Sequence, residues 1–167
     1  MRFAILWTFS ILTLMSCSEK SAYLVKGDAV PDIEFRAVDG ESLTFNEFKG
    51  KTILIHFWAD WCSECRAEFP KLEQAYQKYR ADGFEILAVN VAQSQSHVQS
   101  FKDEYGLNFP MLMDENSAIA KKFGIRGLPT NYFIGKEGRV ERVIIGWVDE
   151  EQISLVLNNI NSKGVYE

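Results

Sequence analysis

Two long apolar runs dominate the middle of the chain. Thr52 to Trp58 (TILIHFW) is apolar at nearly every position and rich in β-branched and aromatic residues. That pattern predicts a central strand buried on both faces. Phe84 to Val91 predicts a second one. Between them Phe69, Leu72, Ala75, Tyr76 and Tyr79 recur at three- and four-residue spacing. This predicts a helix over Ser63–Tyr79, kinked by Pro70 inside it and stopped by Asp82-Gly83.

The flanks are punctuated more finely. Ile33 to Val38 alternates apolar and polar, Asp39-Gly40 is a turn signal, and Leu43-Thr44-Phe45 returns. Together they predict an N-terminal β-hairpin. Asn46 is expected to cap a short helical turn that Gly50 ends. Further on the pattern predicts a helix over His97–Tyr105 ended by Gly106, then a short strand within Phe109–Met113. A short helix over Ser117–Phe123 closes at Gly124. Strands at Tyr132–Ile134 and Val140–Ile145 join through Lys136-Glu137-Gly138, and Asp149 caps a final helix reaching Ile160. The fold class is therefore α/β, with a central mixed sheet covered by helices on both faces.

The first residues follow another rule. Arg2 is followed by Phe3 to Met15, apolar except for Thr8, Ser10 and Thr13. The run has no amphipathic period, is short for a bilayer span, and fits the core of a signal peptide. It ends in Leu14-Met15-Ser16-Cys17, which resembles a bacterial lipoprotein signal. The resemblance implies cleavage after Ser16 and acylation of Cys17, and more than one acyl chain gives stable anchoring. The alternative is ordinary secretion with Cys17 left as a free thiol. The expected organisation is a signal peptide over 1–16, a lipidated Cys17 and tether over 17–28, and one globular domain over 29–167. No internal repeat or low-complexity stretch interrupts it.

Charge and cysteine count narrow the partners. The formal charge is −5 and no basic block occurs. Nucleic acid, which needs clustered Lys and Arg, is excluded. Three cysteines leave one odd in an exported chain. A lipidated Cys17 leaves Cys62 and Cys65 as a pair.

That pair carries the chemistry. Trp58-Ala59-Asp60-Trp61-Cys62-Ser63-Glu64-Cys65 lies where a buried strand gives way to a helix. The first turn of a helix stabilises a thiolate through its free N–H groups and dipole. Two intervening residues bring the second thiol within disulfide reach. Cys62, nearer the terminus, is the expected nucleophile, and Cys65 the resolving thiol. Glu64 places a negative charge beside Cys62 and opposes its ionisation. A structural disulfide would close only a small loop and staple poorly. A zinc site would need two further ligands, and only His56 and His97 are left to supply nitrogen. Glu68, three residues past Cys65, shares its helix face and is a candidate proton donor and acceptor, or else a solvated surface carboxylate. His56 is a possible proton shuttle beneath the site, or else a core histidine bonded to backbone.

FWADWCSEC resembles the FWAxWCxxC segment of the thioredoxin superfamily, and Gly127-Leu128-Pro129-Thr130 resembles its cis-proline loop. Cys65-Arg66-Ala67-Glu68-Phe69-Pro70 is similar to the CxxC-[KR]-x-E-[FM]-P pattern of the TlpA/ResA-like membrane-anchored branch. The likeness runs from Ala29 to Ile160. It implies a thioredoxin-like three-layer fold with an N-terminal β-hairpin and an inserted helix–strand segment around His97–Met113. It implies a cis Pro129 lying against the disulfide, and a substrate segment pairing with the backbone of Leu128. Trp58 and Trp61 would wall the site, with core packing as the other role for Trp58, and Thr130 completes the loop. Glu68 matches a functional Glu of that branch. His56 departs from it, standing where thioredoxins have Asp and this branch often Asn.

The expected function is thiol–disulfide exchange on disulfides of exported proteins, as a reductant, with apocytochrome c as one candidate substrate. The partners are those proteins, a membrane thiol donor that re-reduces the pair, and the bilayer through Cys17. No cofactor or metal is implied. A non-catalytic assembly module on the same scaffold is the alternative. A thiol peroxidase comes last, because neither cysteine follows the Pro-x-x-x-Thr-x-x pattern of peroxiredoxins.

Overall fold

The computed structural model describes residues 23–163. The stretch expected to be a signal peptide over 1–16, the lipidation candidate Cys17 and the expected tether as far as residue 22 lie outside the described residues.

Seven strands form one mixed sheet. They are β1 (Glu34–Ala37), β2 (Ser42–Thr44), β3 (Thr52–Trp58), β4 (Phe84–Val91), β5 (Met111–Asp114), β6 (Thr130–Ile134) and β7 (Val140–Ile145). Their spatial order is β2-β1-β5-β4-β3-β6-β7. β3 lies near the middle, parallel to β4 and antiparallel to β6. Every residue of β3 is buried, as its unbroken apolar run requires. β1 and β2 form the hairpin, with Gly40 at φ 93 in the turn, a conformation that glycine adopts without strain.

Four helices complete three layers: α1 (Ser63–Tyr79), α2 (Gln95–Tyr105), α3 (Ala118–Phe123) and α4 (Glu150–Lys163). Leu54 and Trp58 of β3 face a core built with Phe69 of α1, Phe101 of α2 and Ile153 of α4. Ile53, Ile55 and Phe57 face the opposite core, with Phe123 of α3 and Phe35 of the hairpin. Trp58, Phe69 and Phe101 meet at ring-centroid distances of 4.4–4.8 Å. Truncating one such buried ring to Ala costs about 3–5 kcal/mol.

Several boundaries differ from the periodicity reading. The cap of the first short helical turn falls at Thr44 rather than Asn46, since the Thr44 N–H and hydroxyl both donate to the Glu47 carboxylate, at 2.6 and 2.8 Å. α2 starts at Gln95, two residues before His97, because its first turn is solvent-exposed and carries no apolar signal. β5 starts after Pro110, which has no N–H for a ladder. α3 begins one residue after Ser117, and the buried Asp114 carboxylate accepts from the N–H groups of Ile119 (3.0 Å) and Ala120 (2.8 Å). α1 runs as one helix through Pro70. Asp149 does cap α4: its carboxylate accepts from the Gln152 N–H at 2.8 Å.

Contacts with the sheet begin upstream of Ala29. The Gly27 N–H donates to the Val140 carbonyl at 2.8 Å, and the Val140 N–H to the Asp28 carbonyl at 2.9 Å. Among the described residues no helix is long and apolar enough to cross a membrane.

Candidate active site

β3 ends at Trp58, the Ala59–Trp61 loop follows, and α1 begins at Ser63 with Cys62 at its N-cap. Cys62 and Cys65 are joined in a disulfide with Cα atoms 5.2 Å apart. The Cys65 N–H donates to Cys62 Sγ at 3.2 Å. A thiolate released at Cys62 therefore sits where the helix presents its free donors and positive end. The two sulfurs are not equivalent: Cys62 retains 8% exposure and Cys65 none.

The loop before Cys62 is held from β4. Gln93 Oε1 accepts from the Asp60 N–H and from Asn90 Nδ2, both at 2.8 Å, and Gln93 Nε2 donates to the Asp60 carboxylate. Periodicity gives no hint of this clasp, because Gln93 lies in a connecting loop. Beside the disulfide, Trp61 projects into solvent with 72% exposure, whereas Trp58 is fully buried among aromatic rings. Trp58 is thus a core residue. A further exposed tryptophan, Trp147, carries the Lys71 ammonium 4.6 Å above its ring.

The Leu128–Pro129 peptide bond is cis. Leu128 is half-buried, and the Thr130 hydroxyl donates to the Gly127 carbonyl at 2.7 Å. The Gly146 N–H donates to the Pro129 carbonyl at 2.9 Å, fixing the loop to the end of β7.

Beneath the disulfide lies a buried polar cluster of Glu68, His56 and Asn131. Glu68 is buried to 1% exposure, so it is no solvated surface carboxylate. Its Oε1 accepts from the Val148 N–H at 2.9 Å, while Oε2 has no partner among the described residues. Burial pushes its pKa up to about 8, against the pull of the Val148 and Asn131 hydrogen bonds and of the Lys71 charge. His56 is fully buried, and burial pushes it down to about 4, against its hydrogen bond to Asn131. Both shifts favour the uncharged form, so the 3.9 Å contact between His56 and Glu68 is favoured as one between neutral partners rather than as an ion pair.

Asn131 organises the pair. Its Nδ2 donates to the Gly146 carbonyl at 2.8 Å and lies 3.5 Å from Glu68 Oε1. That leaves its Oδ1 as the acceptor for His56 Nδ1–H at 2.8 Å. The imidazole is therefore bonded through a side chain rather than to backbone, and Nε2 is a bare acceptor without a described partner. Cys62, Cys65, Trp61, Glu68, His56 and the loop over Leu128, Pro129 and Thr130 all gather at the C-terminal end of β3 and the start of β6. Asn131, Val148 and Gln93 join them without having been singled out in the sequence. Asn131 was legible as the residue facing His56 across the sheet only once the β3–β6 register was known. Among the described residues no group of three or more His, Cys, Asp and Glu stands close enough to hold a metal ion.

The AhpC/TSA family model matches residues 26–143. The chain belongs to the AhpC/TSA family. It is 34% identical over 143 residues to the thiol-disulfide oxidoreductase ResA of Geobacillus thermodenitrificans, covering 86% of this chain and 82% of that protein. It superposes with a TM-score of 0.73 on a thiol:disulfide interchange protein, a thioredoxin family protein from Chlorobium tepidum, at 26% identity over 79% of this chain and 94% of that one. StoA from Bacillus subtilis is similar at 28% identity and a TM-score of 0.68, over 78% of this chain and 99% of that one. The fold is thioredoxin-like, and the protein is a thiol–disulfide oxidoreductase.

Proposed function

We propose that the protein reduces disulfides in exported polypeptides, with Cys62 as nucleophile, Cys65 as resolving thiol and Glu68 as the proton donor and acceptor for Cys65. The observation that carries this reading is the unequal pair at the start of α1, Cys62 slightly exposed and Cys65 fully buried, one turn from a buried carboxyl.

The steps follow from that geometry. The Cys62 thiolate attacks a substrate disulfide, and one substrate thiolate leaves. Cys65 loses its proton and attacks Cys62 Sγ, expelling the second substrate thiolate and closing the Cys62–Cys65 disulfide. Two electrons pass to the substrate. When a donor dithiol reopens the bond by attacking Cys62, Cys65 leaves as a thiolate. A protonated Glu68, with its acidic proton on Oε2 because Oε1 accepts from Val148, supplies the proton. The same carboxylate takes it back in the forward direction. His56, neutral and held by Asn131, is proposed as a shuttle behind Glu68. Trp61, Leu128, Pro129 and Thr130 receive the substrate, with the Leu128 backbone pairing with it as a short strand.

The direction rests on chemistry around Cys62. The negative Glu64 beside it and the absence of a histidine between the cysteines both disfavour an unusually stable thiolate, the hallmark of a strong oxidant. Export and acylation at Cys17 would place the domain at the outer face of a membrane, in or facing the periplasm. There a membrane thiol donor must re-reduce the pair, since glutathione and thioredoxin pools are cytosolic. Apocytochrome c awaiting haem attachment is one substrate that fits.

Trapping tests the reading. Cys65→Ser, mixed with disulfide-bearing exported proteins, should accumulate a mixed disulfide through Cys62, because the resolving thiol is missing. Cys62→Ser should trap little. Equal trapping by both, or by neither across a range of substrates, would sink the assignment.

A further inference from the structure

Among the described residues the outer edge of β7 is closed at its start and uncovered afterwards. Residues 27–30 run along it: Ala29 bridges Arg139, Val140 pairs with Gly27 and Asp28, and the Val30 N–H donates to the Gly138 carbonyl. At Gly27, with φ 94, the segment turns away. A turn locks it: the Asp28 N–H donates to the Val25 carbonyl and the Val25 N–H to the Asp28 carboxylate. From Arg142 to Ile145, β7 is the last strand of the sheet. Exposed edges are a liability that folded proteins ordinarily cover, twist or charge. Here the open stretch ends on Ile145, which is 80% exposed.

Beneath that edge lies a groove of about 700 Å³. Its floor is the sheet face carrying Thr130 and Tyr132 of β6 with Val143 and Ile145 of β7, which pair across the ladder. Tyr23 and Val25 of the departing segment form the far wall. The near wall includes Gly127 and Thr130, the residues on either side of Leu128–Pro129, so the groove runs up to the cis-proline loop. Its charge is one-sided. Lys26 and Arg126 line it, Arg126 lying 5.4 Å over the Tyr23 ring, and among the described residues no acidic side chain does, although the chain as a whole is acidic.

We infer that this groove binds an extended segment of the substrate polypeptide, added as a strand to Arg142–Ile145 of β7, with apolar side chains in the groove and acidic ones facing Lys26 and Arg126. Main-chain bonding to an edge gives affinity, and alternate side chains entering a groove give specificity. The inference rests on the exchange activity proposed for the adjacent site and adds to it a preference for apolar, acidic sequence near the substrate cysteine.

The test uses reduced mature protein in single turnover. The probes are peptides carrying one cysteine as a mixed disulfide with thionitrobenzoate. One peptide alternates leucine and glutamate beside the cysteine, a twin has lysine for glutamate, and the mixed disulfide of free cysteine is the reference. Each reaction oxidises Cys62 and Cys65 to their disulfide and releases two thiols. The glutamate peptide should saturate at lower concentration than the lysine twin. Ile145→Ser should lower its apparent affinity about tenfold relative to the free-cysteine reference, as expected for losing one buried aliphatic contact. Lys26→Glu combined with Arg126→Glu should reverse the preference between the twins. Equal saturation by both peptides, insensitive to these variants, would overturn the inference, as would charge-dependent binding to anionic vesicles with peptide kinetics unmoved. Failure of the wild type on the free-cysteine disulfide would instead count against the exchange reading itself.

Discussion

His56 and Asn131 face each other across β3 and β6, and their side chains share a 2.8 Å hydrogen bond between Nδ1 and Oδ1. Asn131 lies two residues after the cis Pro129, so the cis-proline loop also sets the register of the residue that orients the histidine. Through Asn131 Nδ2 the same amide reaches Gly146 and approaches Glu68. The strand that follows the cis-proline loop and the buried acid are thus joined in one polar cluster in an apolar setting, where every lost partner is costly.

Asn131→Ala should lower stability by about 1–3 kcal/mol, because it leaves the His56 Nδ1–H without its acceptor inside the core. Urea denaturation measures this. Asn131→Asp should instead set a negative charge against the imidazole and raise its pKa, visible in the NMR titration of the ring. A histidine that titrated identically in both proteins would mean that Asn131 does not control it.

Glu68 should leave a signature in the pH dependence of stability. Its pKa rises from 4.5 to about 8 on folding. The unfolded chain therefore loses the proton first, and the stability associated with the neutral buried acid is full below about 4.5 and lost as pH climbs through about 8. Glu68→Gln removes that loss. The variant should match the wild type near pH 4 and gain a growing advantage towards pH 8, while its exchange rate falls and loses a limb of its pH profile. His56 acts oppositely: its pKa drops from 6.5 to about 4, so its contribution is full above about 6.5 and lost as pH falls towards 4. A constant stability difference between wild type and Glu68→Gln from pH 4 to 9 would contradict the buried neutral acid.

On the proposed acylation, Cys17→Ala should leave an uncleaved or mislocalised precursor, because the substitution removes the proposed acyl acceptor. Fractionation checks this. Wild-type protein found wholly soluble, with a free Cys17 thiol, would exclude the anchor.

Much of this was legible in the sequence, for reasons that can be stated. The strands β3 and β4 announce themselves because both faces are buried, leaving few positions for a polar residue: Thr52 and His56 in β3, Glu85 and Asn90 in β4. The Cys62–Cys65 pair and cis Pro129 sit in local motifs whose spacing is the chemistry. What stayed hidden depends on long-range register. Asn131 meets His56 from 75 residues away, and the Val148 N–H meets Glu68 from 80. Gln93 clasps Asp60 from a loop that has no periodicity at all. The β7 edge is invisible in the same way, since Val140–Ile145 reads as a strand without revealing that nothing described lies beside its end.

Unequal access at the disulfide gives the most direct test of the assigned roles. In the folded protein Cys62 keeps a small exposed surface, whereas Cys65, one turn into α1, has none and belongs to the same core as Phe69 and Trp58. After reduction Cys62 also keeps its place at the helix start, where the Cys65 N–H points at its sulfur. Alkylation at neutral pH requires both an accessible sulfur and a thiolate, and both conditions favour Cys62. A brief pulse of iodoacetamide on the reduced protein should therefore label Cys62 almost alone, as read by peptide mass mapping. Labelling of Cys65 should appear only with denaturant, and its onset should track unfolding. Glu64→Lys should speed the labelling of Cys62 by replacing a neighbouring negative charge with a positive one. If Cys65 were labelled first, the nucleophile and the resolving thiol would exchange roles, and Glu68 would have to serve the attacking sulfur instead.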